Sequence, residues 1–253
     1  MTPRLRVTRP SLGAGVFWLQ GGVALLRQGF VAWLGLSSAV LLALLLLGMT
    51  GAGAILASFL GPFVVALFML AGDASRRAER FSFLVLPGQL RPTVSPLFQV
   101  GLVNALATLA ASQLILVMAG SDLETILTLV DAAGTTGGSA NPEVLNQHLE
   151  RVMPALWTAL LIVLPVSMAS WFAPALILFD AFSAGRALWW SLWTVLTNVV
   201  PMLLFALLLG GGWLLALIIP YGIGFMLFLP LLMAATYVGY RSIFHSDEAS
   251  SDK

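Results

Sequence analysis

The sequence predicts an all-α fold: a polytopic transmembrane helical bundle of six spans arranged as three hairpins, with amphipathic helices at the membrane interface. Three observations predict it. Of 253 residues, 59% are apolar and 9% charged, against about 45–50% and about 25% in ordinary soluble domains. With a mean hydropathy of +0.97, so much apolar surface cannot be hidden in one core, and lipid must be part of the solvent. Six long stretches carry no Asp, Glu, Lys, Arg or His. The basic residues fall, with one exception, on alternate connections.

A helix rises about 1.5 Å per residue, so about 20 apolar residues cross the hydrocarbon layer, and a helix pairs all of its own backbone groups. Residues 1–253 read as a single integral membrane domain. Its first interfacial helix is 16–28, with Gln20, Ala24, Arg27 and Gln28 on one face and Phe17, Trp18, Leu19, Val23, Leu25 and Leu26 largely opposite. Arg4, Arg6 and Arg9 ahead of it suggest a signal peptide, but Gln20 and Arg27 interrupt the apolar region, so it is expected to be retained. Spans 30–49 and 54–72 form a hairpin broken at Gly48, Gly51 and Gly53. The stretch 81–96 is a weaker interfacial counterpart, interrupted by Pro87, Gly88 and Pro92.

Span 97–120 leads into an outer loop at about 121–154 and then span 155–179. In the loop, Leu123, Ile126, Leu127 and Val130 have helical spacing, Gly134 to Ala140 is a flexible break, and Asn141-Pro142-Glu143 has the N-cap, first-position proline and early acid of a helix start. Two short amphipathic helices are expected to lie over the outer face. A further interfacial helix, 183–198, gathers Ser183, Arg186, Ser191, Thr194 and Asn198 on one side. Spans 200–219 and 221–240 are divided near Pro220, and 245–253 is a tail.

Basic residues are retained on the cytoplasmic side during insertion. Arg4, Arg6, Arg9 and Arg27 precede the first span, Arg76, Arg77, Arg80 and Arg91 follow the second, Arg186 the fourth, and Arg241 and Lys253 the sixth. Both ends of the chain are therefore expected in the cytoplasm. The outer loop holds Arg151 alone among basic residues, beside Asp122, Glu124, Asp131, Glu143 and Glu150. Trp18, Trp33, Trp157, Trp171, Trp189, Trp190, Trp193 and Trp213 mostly lie near span ends and read as interfacial anchors.

The even spans share a layout, in which Pro62, Pro174 and Pro230 are each followed by an apolar half-helix and then by Arg76, Arg186 or Arg241. A mid-span proline removes a backbone bond and kinks the helix. Three repeat-like units follow, about 12–80, 81–182 and 183–244, related as parallel repeats about the membrane normal.

Chemistry is sparse. The absence of cysteine excludes disulfides and thiolate sites, and a net charge of +1 offers no general attraction for nucleic acid. His148 and His245 lack neighbouring metal ligands in the sequence and read as solvated surface. Ser167 and Ser170 show no base partner, and no catalytic, cofactor or metal residue is assigned. Asn104, Thr108 and Ser112 recur every four residues with Gln113 adjacent, a stripe that serves helix packing or lines a pathway, with Pro174 a second pathway candidate. Arg76, Arg77, Arg80, Arg186 and Arg241 are candidate contacts for anionic headgroups.

The segment Trp171-Phe172-Ala173-Pro174-Ala175-Leu176, the following Arg186, Asn198 and Pro201, and the ending Tyr237-Val238-Gly239-Tyr240-Arg241-Ser242-Ile243-Phe244 resemble an uncharacterised family of proteobacterial inner-membrane proteins. Trp18, Phe30, Trp33 and the Gly61-Pro62 pair fit its opening portion. More remotely the chain is similar to YciC-type membrane proteins. The resemblance implies a six-span inner-membrane protein and brings no catalytic residues with it. The expected role is a non-enzymatic, envelope-organising or interaction component in contact with lipid, with anionic lipids or other membrane proteins as partners. The alternatives are a passive channel or small-solute transporter, and a lipid-binding or lipid-scrambling protein.

Overall fold

The computed structural model describes residues 10–79, 86–136 and 141–245. Arg4, Arg6, Arg9, Arg80, Lys253 and most of the tail lie outside them. The described residues form helices α1 (Ala14–Gln28), α2 (Phe30–Gly48), α3 (Gly53–Arg76), α4 (Leu86–Gln89), α5 (Val94–Thr136), α6 (Pro142–Ser170), α7 (Ala173–Asp180), α8 (Ala184–Thr197), α9 (Val199–Ile218) and α10 (Ile223–Phe244). Among these residues, six helices are long and apolar enough to cross a membrane: α2, α3, α5, the α6–α7 pair, α9 and α10. Large apolar side chains stand outward, with Val31, Val117, Leu161 and Ile218 each more than 70% exposed. Such surfaces aggregate in water and are at home in lipid. The protein is a multi-pass, all-α membrane bundle.

The chain divides into two compact units, residues 103–167 and the remainder. In the larger unit α10 is the hub, packed on α1, α2, α3 and α9, while α2 pairs with α3, α3 with α7, and α7 with α8. Two of the three hairpins, α2–α3 and α9–α10, belong here. The turn Pro220–Gly222 joins the second of them, with Gly222 at a φ of +72°, a left-handed conformation that glycine adopts without strain.

The α1–α10 contact is built from small residues. A β-carbon on Gly22 would lie 2.8 Å from the Ala235 nitrogen, and one on Gly15 2.9 Å from the Phe205 nitrogen of α9. Lipid tails are as apolar as leucine, so close backbone approach and dispersion contacts, rather than expulsion of water, hold such helices together. This places Trp18 and Leu25 inside the bundle and leaves Phe17 and Val23 exposed. The helix forms where the sequence predicts it, with a third, glycine-rich face that a division into polar and apolar sides does not reveal.

Two tryptophans expected as interfacial anchors are core residues instead. Trp18 is 2% and Trp33 0% exposed. Trp18 meets Phe205 edge-on at 5.3 Å. Trp33 stacks on Phe68 at 6.0 Å and donates its indole N–H to Ser75 Oγ at 3.0 Å. Hydropathy marks an indole as suited to a boundary, but not which boundary.

The fourth predicted span is two helices. α6 stops at Ser170 and α7 begins at Ala173, with Pro174 in its first turn, where the missing N–H is no loss. The break frees backbone groups that lipid cannot satisfy. Ser191 of α8 supplies both partners: its hydroxyl donates to the Met168 carbonyl at 2.9 Å and accepts from the Phe172 N–H at 3.0 Å. Pro174 is thus a helix starter rather than a mid-span kink, whereas Pro62 and Pro230 lie inside α3 and α10.

The smaller unit is the α5–α6 hairpin. α5 bends at Ala119, beside a Gly120-Ser121 pair of the kind that commonly kinks helices. Ala119 then packs with Val152, Ala155 and Ile126. Of the two amphipathic segments of the outer loop, the first is a separate helix set off from its span by the break at Ala119, as the sequence predicts, whereas the second runs on through Pro154 into its span as one helix. Asn141 caps α6 as its sequence implies, its side-chain oxygen accepting from the Glu143 N–H at 3.0 Å. Asn141→Ala is expected to destabilise this first turn by about 1 kcal/mol. Hydrogen exchange at the amides of residues 143–146 would then quicken while the rest of α6 keeps its protection.

Candidate functional site

The C-terminal turns of α3 and α10 carry the same spacing of polar residues. On α3, Asp73, Arg76 and Arg77 stand at i, i+3 and i+4; on α10, so do Tyr237, Tyr240 and Arg241. Residues three and four apart share a helix face. The α3–α10 packing brings the two faces together. Gly72 makes the approach feasible, since a β-carbon there would sit 2.6 Å from Cγ of the Tyr237 ring.

The Tyr237 hydroxyl donates to Asp73 Oδ1 at 3.0 Å and accepts from Arg76 Nε at 3.2 Å. Arg76 Nη2 also reaches Asp73 Oδ1 at 3.3 Å, and Arg77 Nη2 reaches Asp73 Oδ2 at 2.8 Å. One carboxylate therefore takes a hydroxyl and two guanidinium groups. Such charge-assisted bonds are stronger than neutral ones, and a fully satisfied network fixes side-chain positions.

A second tyrosine–carboxylate pair lies beside it. The Tyr240 hydroxyl donates to Asp180 Oδ2 at 2.5 Å. His245 Nε2 stands 3.4 Å from the other oxygen of that carboxylate. The Tyr240 ring stacks on Phe179 at 5.7 Å and meets the His245 ring at 5.3 Å. The two tyrosines of the Tyr-x-x-Tyr-Arg ending thus tie α10 to α3 and to α7. Both carboxylate-bearing helices end on an alanine of positive φ, Ala78 at 55° and Ala181 at 53°. Left-handed alanines cost about 1–2 kcal/mol each, which the surrounding bonds must outweigh.

These residues frame a recess of about 230 Å³, lined by Asp73, Arg76, Arg77 and Phe179 with Tyr237, Arg241 and His245. Three of the headgroup candidates, Arg76, Arg77 and Arg241, meet there. Arg186 lies over the Phe182 ring at 4.1 Å, a cation–π contact, and does not line the recess. Asp73 and Asp180 were not foreseen as site residues, because each falls just beyond a predicted span end, at 72 and 179. The available signal was the tyrosines: a phenol at the edge of a bundle needs a hydrogen-bond partner.

The remaining candidates are dispersed. Asn104, Thr108 and Ser112 share a half-buried face of α5, and the Ser112 hydroxyl donates to the Thr108 carbonyl at 2.8 Å within the helix. Pro174 is buried together with Ala173, Ala175 and Leu176. His148, expected as solvated surface, places Nδ1 2.7 Å from Asp122 Oδ1, with Arg151 3.5 Å from the same oxygen. His245 likewise has a carboxylate partner rather than open solvent. Both histidines find acids far away in sequence, so the local sequence gave no hint. Among the described residues no group of three or more His, Cys, Asp or Glu is placed to hold a metal ion.

Set against known proteins, the chain matches no family model, no curated protein and no solved structure.

Proposed function

We propose that this multi-pass membrane protein is a non-enzymatic component of the bacterial inner membrane that acts through assembly, as an interaction or envelope-organising element. The observation behind this reading is how the larger unit is filled. Its interior is apolar and small side chains in backbone-close contact, and Pro174, the pathway candidate of that unit, is enclosed by its neighbours. The aspartates and arginines gather at the helix ends instead. A bundle so arranged has little with which to relay protons or coordinate ions at midplane, where transporters keep ionisable groups.

The inner-membrane assignment draws on the resemblance to the proteobacterial family. The orientation, with both ends in the cytoplasm, draws on Arg27, Arg76, Arg77, Arg91, Arg186 and Arg241, all on alternate connections.

Reconstitution of the full chain into phosphatidylethanolamine–phosphatidylglycerol vesicles tests this reading. Solute-driven swelling with glycerol, urea and sorbitol, and dithionite quenching of labelled lipids, are expected to match protein-free vesicles. A swelling rate that rises with the protein-to-lipid ratio would replace the reading with a channel, and a similar rise in quenching with a scramblase. The basic recess favours a lipid contact as a second property.

A further inference from the structure

We infer that one exposed stripe of α5 is a dimerisation seam for a second copy of this chain, with Gln113 paired to the Gln113 of that copy. Such a pair rests on the assembly reading and gives it a partner.

The spacing along α5 comes first. Leu102, Leu106, Leu109, Gln113 and Leu116 follow one another at alternating steps of four and three residues, and Gln99 stands two heptads before Gln113 in the same register. This alternation keeps a single stripe of a helix turned toward a partner helix, as in a coiled coil. The stripe stands open: Leu106 and Leu116 are each 56% exposed, and Leu102, Leu109, Gln99 and Gln113 are exposed as well. Another side of α5 serves its own hairpin, where Ala111 and Ala119 are buried and Ala119 packs with Val152 and Ala155 of α6.

Leucines alone are at home in lipid, and Gln113 is not. Its carboxamide has two donors and an acceptor oxygen, and no hydrogen-bond partner among the described residues. Hydrocarbon supplies neither, so an unpaired amide there is costly. The apolar run Leu114 to Met118 separates Gln113 from Asp122, the next charged residue, about 13 Å further along the helix. Helical side chains lean toward the N-terminus, here away from Asp122 and deeper into the apolar stretch. The amide therefore has its best partner on a neighbouring membrane helix.

A second copy fits because a carboxamide complements itself. Across a two-fold axis the NH2 of each Gln113 donates to the oxygen of the other, the self-matching contact of a symmetric dimer. Copies inserted with one orientation present α5 in parallel, which sets equivalent residues at equal depth. A polar residue among leucines then fixes the register of the pair.

The chain has no cysteine, so a single introduced thiol reports on one position. In membranes of cells expressing the full chain, oxidation should cross-link the Leu109→Cys and Leu116→Cys variants into a species of twice the chain mass. Met118→Cys, also at an exposed position but on a different face, should remain uncross-linked. By sedimentation equilibrium in mild detergent, Gln113→Leu should weaken self-association about tenfold, with its helical circular dichroism unchanged. A monomer in both assays, cross-linking as strong at Met118, adducts of Leu109→Cys with a different protein in place of the dimer, or self-association undiminished in Gln113→Leu would overturn the inference. A monomer without flux removes the pairing alone, whereas flux removes the assembly reading whether or not the copies pair.

Discussion

Ser191→Ala is expected to destabilise the protein by about 1–3 kcal/mol, the cost of leaving a buried backbone N–H without its partner and a buried carbonyl under-satisfied. The hydroxyl lost is small, but the Phe172 N–H depends on it, and the Met168 carbonyl is left with only the longer bond from the Trp171 N–H at 3.4 Å. Ser191 itself is 0% exposed, so water does not reach the hydroxyl to replace it. For a chain of this length a change of that size corresponds to roughly 2–12 °C in the thermal midpoint, readable by fluorescence in mild detergent. Thr194, one turn along the same helix, supplies the comparison. It is also 0% exposed, yet its hydroxyl has no hydrogen-bond partner among the described residues. Thr194→Val should therefore leave the midpoint unchanged or raise it slightly. Equal losses in the two variants would show that α8 packing, not completion of the α6–α7 break, sets the effect.

Gly22→Val should be comparably damaging, by about 3 kcal/mol. A single β-carbon at Gly22 would already stand 2.8 Å from the Ala235 nitrogen and 3.0 Å from its Cα. These are backbone atoms of α10, so relief requires moving a helix that also packs on α2, α3 and α9. Gly22→Ala should be milder, because alanine's better helix propensity returns about 1 kcal/mol. Gly211, within α9, has open space where its β-carbon would stand. There the same change to alanine should stabilise by up to about 1 kcal/mol. Opposite signs from one substitution at two glycines, measured as thermal midpoints, would isolate close packing from propensity. A loss at both would place the effect in backbone flexibility instead.

The spans were legible because hydropathy responds to lipid directly: α2 runs over Phe30–Gly48 where the sequence predicts 30–49, and α9 over Val199–Ile218 where it predicts 200–219. Contacts between helices were not, since a lipid-facing leucine and a buried one look alike in sequence. Trp18 and Trp33 were misread for that reason. Ser191 was correctly placed on the polar side of its helix, but the backbone break it completes lies some twenty residues earlier, in a stretch that reads as one unbroken span. At the recess the arginines were visible as a cluster, while Asp73 looked like part of a connection. Its importance follows from Tyr237, 164 residues away.

The position of α10 has a bearing on biogenesis. It is synthesised after every helix it holds, and its main neighbour, α1, is made before all the others of them. During translation the glycine face of α1 and the aspartate of α3 enter the membrane without their partners on α10, and only that later span supplies both. The Tyr-x-x-Tyr-Arg turn then ties α3 and α7 to a helix made after both of them.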